Sequence, residues 1–81
     1  MADRRTAVLT MVVKTHGYAL DSINALLFKN AGMILTKMEF PCPELGSTVI
    51  SVVVEAANNK VGALSGQLGQ LRDVNLKSIT I

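Results

Sequence analysis

Histidine and cysteine are the first residues to consider for catalysis or metal binding, and this sequence holds one of each. His16 and Cys42 stand without the spaced His, Cys, Asp or Glu partners that a metal site or an acid-base centre needs. We therefore expect no catalytic residues, no metal ligands and no cofactor. Metal binding by an accessory protein that uses His16 and Cys42 is the alternative function.

Three glycines with helical spacing are the most unusual feature of the sequence. Gly62, Gly66 and Gly69 fall at i, i+4 and i+7 inside a segment, 58–71, that has the apolar periodicity of a helix. At 100° per residue they form one stripe, about 150° from the leucine-rich stripe that would pack on a sheet. Each glycine costs about 0.8–1 kcal/mol relative to alanine in a helix. We expect this glycine stripe to face away from the core and to contact another backbone or a ligand; the alternatives are drift on an exposed surface and close packing on the first helix.

The elements that would hold these residues follow the order β-α-β-β-α-β. Dense β-branched and apolar residues predict strands over 6–14, 33–40, 47–55 and 74–81. Helices are predicted over 19–31, with Gly32 as the C′ glycine, and over 58–71, with Asn58 or Asn59 as the N-cap. Alternation in the second strand divides it into one side with Lys37 and Glu39 and another with Ile34, Thr36, Met38 and Phe40.

This order of elements predicts the α+β class and a ferredoxin-like sandwich. With right-handed crossovers, the strands form an antiparallel sheet in the order 4-1-3-2, and both helices lie on one face. A chain of 81 residues fits a single domain over residues 1–81. Three connections then share one end of the sheet, so His16, Gly17, Cys42, Arg72 and Asp73 could neighbour one another there or meet across an oligomer interface.

The second face of this sheet has no helix to cover it. In the two central strands, one set of alternate residues is entirely apolar and belongs under the helices: Ala7, Leu9, Met11, Val13, Ile50, Val52 and Val54. The other set, which we call the open face, has an apolar middle and comprises Val8, Thr10, Val12, Val49, Ser51 and Val53. Monomers seldom leave such patches bare, so we expect a second copy to bind there, in a homodimer or a dimer of dimers. The alternative is a valine-rich sheet that tolerates water because Thr10 and Ser51 interrupt the patch.

Charge and composition exclude several functions. The formal net charge is +2 without a clustered basic face, and the few aromatic residues lie outside the central strands, so we expect no direct nucleic-acid binding by this chain alone. No segment approaches the ~18 apolar residues of a membrane span. The apolar run at 7–13 is at the lower limit for a signal peptide and lacks a cleavage site. With the single cysteine, these features predict a cytoplasmic protein that binds no membrane.

The second helix and the last strand carry a recognisable pattern. Residues 62–69 read Gly-Ala-Leu-Ser-Gly-Gln-Leu-Gly and residues 74–78 read Val-Asn-Leu-Lys-Ser, while Gly32 follows the first helix and Pro41 ends the second strand. In these features nearly the whole chain resembles the iron-only hydrogenase system regulators, which are small stand-alone ACT-like proteins. The resemblance implies an ACT-type domain that self-associates and regulates, in transcription and in connection with hydrogenase metabolism.

The same resemblance implies where an effector would bind. In ACT domains a small-molecule effector typically lies at a subunit interface near the first β-α loop, which here comprises Thr15, His16, Gly17 and Tyr18. We expect the glycine stripe to line the same contact. The leading hypothesis is a non-enzymatic, homo-oligomeric regulatory module with an effector of unknown class. A small dimeric enzyme that folds its sheet around a substrate is a further alternative, for which the open face offers no acid-base group.

Overall fold

Strands and helices alternate along the chain in the order that the sequence predicts. The structure, a computed structural model, describes residues 3–81. The strands are β1 (Arg4–Lys14), β2 (Ile34–Cys42), β3 (Ser47–Ala57) and β4 (Val74–Thr80). The helices are α1 (Ala19–Lys29) and α2 (Asn58–Gly69), and two short 3-10 turns span Ala31–Met33 and Pro43–Leu45. Neither helix is long and apolar enough to cross a membrane, among the residues that the structure describes.

The sheet has the strand order β2-β3-β1-β4, and every neighbouring pair is antiparallel. This is the predicted order 4-1-3-2 read from the other edge, so the α+β ferredoxin-like fold is confirmed. The connections through α1 and α2 each link strands that are not neighbours in the sheet. Both helices contribute to one core and therefore lie on the same face.

The core forms between that face and the two helices. The predicted covered set of β1 and β3 is confirmed, since each of its members is at most 1% exposed. The helices contribute five buried side chains to the core: Ile23, Leu27, Val61, Leu64 and Leu68. Burial alternates at every residue from Ser47 to Ala57 because successive side chains of a strand point to opposite faces.

The helix ends differ from their predictions. Helix α1 ends at Lys29, and the side-chain Nδ2 of Asn30 donates to the Leu26 carbonyl at 2.8 Å, where a 3-10 turn begins. Gly32 does not adopt a left-handed conformation, so its prediction as the C′ glycine is wrong. The prediction of an asparagine N-cap is wrong too, because α2 begins at Asn58, whose backbone N–H donates to the Asp3 carbonyl at 2.7 Å.

An irregularity in β2 changes the faces of that strand. The pairing with β3 shifts between Ile34 and Thr36, so Ile34 pairs with Val54 and packs against the core. Its predicted place on the same side as Thr36, Met38 and Phe40 is therefore wrong. An irregularity of this kind adds a residue to one strand and reverses the alternation that follows.

Candidate functional site

The open face of the sheet is built of cross-strand rows. Val8 pairs with Val53, Thr10 with Ser51 and Val12 with Val49, so the six predicted residues form three adjacent rows. The outer strands extend each row at both ends, with Thr36, Met38 and Phe40 from β2 and with Ile79, Lys77 and Asn75 from β4. Paired residues share a face of the sheet. The predicted open face therefore exists, and it is wider than the sequence indicated.

Apolar side chains dominate this surface. Val12 is 43% exposed, Met38 52%, Phe40 54% and Ile79 65%. The other three valines of the open face are half-buried between their neighbours. Met38, Phe40 and Ile79 were not part of the predicted surface, because alternation divides an edge strand into two sides without showing which one the helices cover. Their addition extends the apolar surface from the two central strands onto both outer strands.

The two hydroxyl groups in the middle row of the open face are hydrogen-bonded within the chain. The hydroxyls of Thr10 and Ser51 hydrogen-bond to each other at 2.9 Å in the middle row. Covering a hydroxyl that has no partner costs free energy, and a hydrogen bond within the chain removes much of that cost. The pair therefore allows the face to be covered without losing its hydrogen bond when water leaves.

Charged residues lie around the apolar rows. At one end of the sheet, the Arg4 guanidinium and the Glu55 carboxylate are 4.0 Å apart, with both side chains well exposed. Lys14 lies at the other end of β1, and Lys77 ends the middle row on β4. An apolar centre with a polar rim is the usual arrangement of a protein interface.

The first β-α loop is tied to the turn between β2 and β3. The Thr15 N–H donates to the Gly46 carbonyl at 2.9 Å, and the Thr15 hydroxyl lies 2.9 Å from that of Thr48. Gly17 has a φ of 125°, a conformation that favours glycine, and Tyr18 begins α1 with 88% of its surface exposed. The loop thus has a fixed base on the sheet and an exposed tip.

The predicted meeting of three connections at one end of the sheet is confirmed. Lys14 pairs with Ser47 and Val13 with Val74, so β1 ends where β3 and β4 begin. Cys42 is half-buried there, with its Sγ 3.9 Å from the Phe40 carbonyl oxygen. Within residues 3–81, no group of three or more His, Cys, Asp or Glu side chains is placed to hold a metal ion.

The glycine stripe lies on the exposed side of α2. A Cβ atom built on Gly62, Gly66 or Gly69 would meet nothing within 4 Å. The prediction that the stripe faces away from the core is confirmed, and the alternative of close packing on α1 is wrong. Gly69 lies at the end of α2 nearest the first β-α loop, whereas Gly62 is about 10 Å further along the axis. The stripe and the loop therefore do not share one pocket within a subunit.

Two grooves on the helical side were not predicted. One, of about 400 Å³, lies between the end of α1 and the first turns of α2 and includes Lys29 and Lys60. The other, of about 380 Å³, lies between α1 and β2 and includes Phe28, which is 85% exposed. Neither contains a residue of the predicted effector site. The first groove joins segments far apart in sequence and the second joins two consecutive elements, so periodicity within one element could not reveal either.

Comparisons with known proteins agree with this architecture. Residues 5–78 match a family model described as "TM1266-like: Iron-only hydrogenase system regulator, putative". Among solved structures, uncharacterized protein TM1266 from Thermotoga maritima has a TM-score of 0.92 and 33% sequence identity. The match covers 98% of this chain and 99% of that one. No curated protein matches the sequence.

Proposed function

The chain belongs to the TM1266-like family of iron-only hydrogenase system regulators, and we propose that it is a non-enzymatic regulatory module that works as an assembly of identical subunits. The family description supports the regulatory role. The proposal adds that copies meet through the open face of the sheet, as a homodimer or a dimer of dimers, and that a small effector binds where subunits meet. Its output is transcriptional control connected with hydrogenase metabolism.

The exposed valines and the apolar residues beside them on the open face carry this proposal. A two-layer fold covers one face of its sheet with helices and has no further element for the other. Val8, Val12, Val49 and Val53 lie at its centre, and the Thr10–Ser51 hydrogen bond keeps the polar middle paired. Covering apolar area contributes about 25 cal/mol per Å². A second copy of the same face is the simplest cover, because two-fold assemblies bring identical patches together.

The effector part of the proposal rests on the loop and the glycine stripe. The tip of the first β-α loop is exposed at His16, Gly17 and Tyr18, while Thr15 anchors its base. The glycine stripe presents bare backbone along α2 with open space above each glycine. The glycine stripe lies on the helical side of the subunit, away from the open face. It would therefore meet the loop of another subunit through the second interface of a dimer of dimers.

Solution mass tests the assembly. Wild-type protein should sediment as a dimer or a larger even assembly at micromolar concentration, because the open face is covered by a second copy. Val53→Lys places a charge in the apolar centre and should shift the mass to the monomer, with far-UV circular dichroism unchanged. Ala25→Lys adds the same charge on the exposed side of α1 and should leave the assembly intact. A wild type that remains monomeric, or a Val53→Lys variant with wild-type mass, contradicts the proposal.

The glycine stripe and the regulatory output need separate tests. Gly66→Leu should weaken assembly or effector binding while the circular dichroism spectrum stays nearly constant, because the leucine has open space within the subunit. If neither property changes, the stripe has no part in the contact. For the output, deletion of the gene should change transcript levels of iron-only hydrogenase genes. A wild-type copy should restore them and a Val53→Lys copy should not; unchanged transcripts in the deletion strain would remove the transcriptional role.

A further inference from the structure

The groove between the end of α1 and the start of α2 has the composition of a small-molecule site. It measures about 400 Å³ and takes residues from both helices and from the 3-10 turn between α1 and β2. Ligand pockets in proteins commonly measure about 300–1,000 Å³. The groove lies at the end of the sheet opposite the first β-α loop, because α1 runs away from that loop and α2 starts where β3 ends.

Positive charge without a compensating partner distinguishes this groove. Lys29 from α1 and Lys60 from α2 both line it, and none of its lining residues is acidic. The ion pairs in residues 3–81 join Arg4 to Glu55 and Lys37 to Glu39, so neither groove lysine has a carboxylate within 4.0 Å. Two like charges beside one concave surface raise the local concentration of anions.

The remaining lining residues suit the rest of an organic anion. Asn30 and Gln67 supply side-chain amides whose N–H groups can donate to an anion; the Nδ2 of Asn30 gives one of its two hydrogens to the Leu26 carbonyl and keeps the other. Met33 is half-buried against the core and Ala63 is exposed, so they provide apolar contact within the groove, above the buried Leu64. Apolar contact with a few placed polar groups is the usual chemistry of a ligand pocket.

We propose that this groove binds a small organic dianion, with the ammonium groups of Lys29 and Lys60 on its charged group and with Met33 and Ala63 against its apolar part. A phosphate monoester and a dicarboxylate share this chemistry. All the residues involved belong to one subunit. The site therefore goes beyond the proposed function, and it is present in the monomeric Val53→Lys variant as well as in an assembly.

Titration with two aromatic dianions tests the site and separates its two possible sources. Phenyl phosphate and phthalate are added in turn to ¹⁵N-labelled protein, and backbone amide shifts are followed by NMR at fixed ionic strength. At least one probe should give saturable shifts centred on residues 29–33 and 60–67. The probe that binds identifies phosphate monoesters or dicarboxylates as the ligand class. If neither probe gives saturable shifts in the groove, the proposal is overturned.

Two kinds of variant then test the positive charge of the groove and its open volume separately. Lys29→Gln and Lys60→Gln keep most of the side-chain length and should each weaken binding about tenfold, the effect of losing one charge-assisted contact. Lys77→Gln, on the open face, is the charge-matched control and should bind like wild type. Ala63→Leu fills the groove without changing its charge and should abolish binding, whereas Ala25→Leu on α1, outside the groove, should have no effect. Equal weakening by Lys77→Gln, or full binding by Ala63→Leu, would show diffuse attraction and sink the proposal.

Discussion

The two faces of the sheet are made from the same strands but differ in their exposure to solvent. On the covered face, Leu9, Met11 and Val52 are wholly buried beneath the helices. On the open face, their neighbours Val8, Val12 and Val53 keep contact with solvent. Valine is common on both faces, with three of the seven residues of the covered set and four of the six residues of the open face. The difference is that the helices cover one face and leave the other exposed to solvent. In the proposed assembly, similar residues therefore serve stability on one side and recognition on the other.

The sharpest comparison uses two adjacent valines of β3. Val52→Ala removes two methyl groups from a fully buried position, and we expect it to lower the free energy of unfolding by about 2–3 kcal/mol through lost burial and an unfilled cavity. Val53→Ala on the open face should cost about 0.5 kcal/mol or less in dilute, dissociated protein, because its side chain is in contact with solvent. Chemical denaturation of both variants at low protein concentration measures the difference.

The same pair can be compared at high protein concentration. There the cost of Val53→Ala should rise, because assembly contributes to apparent stability by mass action, while that of Val52→Ala should change less. Equal costs for the two variants at every concentration would mean that the faces do not differ in role.

Thr48 connects the covered face to the first β-α loop and should give the next largest effect. It is the buried polar residue of the core region, 2% exposed, and its hydroxyl bonds to that of Thr15. Thr48→Val leaves the Thr15 hydroxyl without this partner and should lower the free energy of unfolding by about 1–2 kcal/mol. In the double variant with Thr15→Val, much of the loss should be recovered. Strictly additive losses in this double-mutant cycle would exclude a coupling between loop and core.

Substitutions in the glycine stripe should raise the stability of the subunit, whereas the preceding substitutions lower it. Gly66→Ala should raise the free energy of unfolding of the isolated subunit by about 0.8–1 kcal/mol, because alanine is the better helix former and the added Cβ meets nothing. Thermal unfolding at low concentration measures this gain, with Gly62→Ala as the matched second variant. A loss of stability in both variants would mean that the space above α2 is filled within the subunit.

The smallest effect is expected at the centre of the open face. Ser51→Ala breaks the 2.9 Å hydrogen bond to Thr10 at a position that water can still reach, so it should cost about 0.5 kcal/mol in dissociated protein. Sedimentation should show a larger effect on assembly, because covering the face would then leave the Thr10 hydroxyl without its partner. If assembly were equally strong in this variant, the pair would not lie within the contact.

Most of the correct predictions came from the periodic spacing of apolar residues in the sequence. The period of two in β1 and β3 identified both faces correctly, since a central strand has neighbours on either side that enforce its register. The apolar stripe of α2 gave its buried side, Val61, Leu64 and Leu68, for the corresponding reason of a 3.6-residue period.

The predictions that failed concern features that are determined by tertiary contacts. The irregularity at Ile34 reverses the alternation of β2, and an edge strand lets Lys37 and Glu39 sit on the helix side, where the Lys37 ammonium also donates to the Asn24 side chain at 2.9 Å. Gly32 was predicted as a helix terminator from its residue type, but Asn30 ends α1 earlier with its own side chain. The groove lined by Lys29 and Lys60 depends on how α1 packs beside α2, which no local sequence pattern encodes.

The central claim is that copies of this chain meet at the open face, and contacts between subunits test it most directly. Protein with ¹³C-labelled valine methyl groups is mixed with unlabelled protein, and only nuclear Overhauser effects between differently labelled copies are recorded. The account predicts such contacts from the methyl groups of Val8, Val49 and Val53, and none from the covered Val52. Contacts confined to other surfaces, such as the exposed Phe28 on α1, or the absence of any contact between copies, would contradict it.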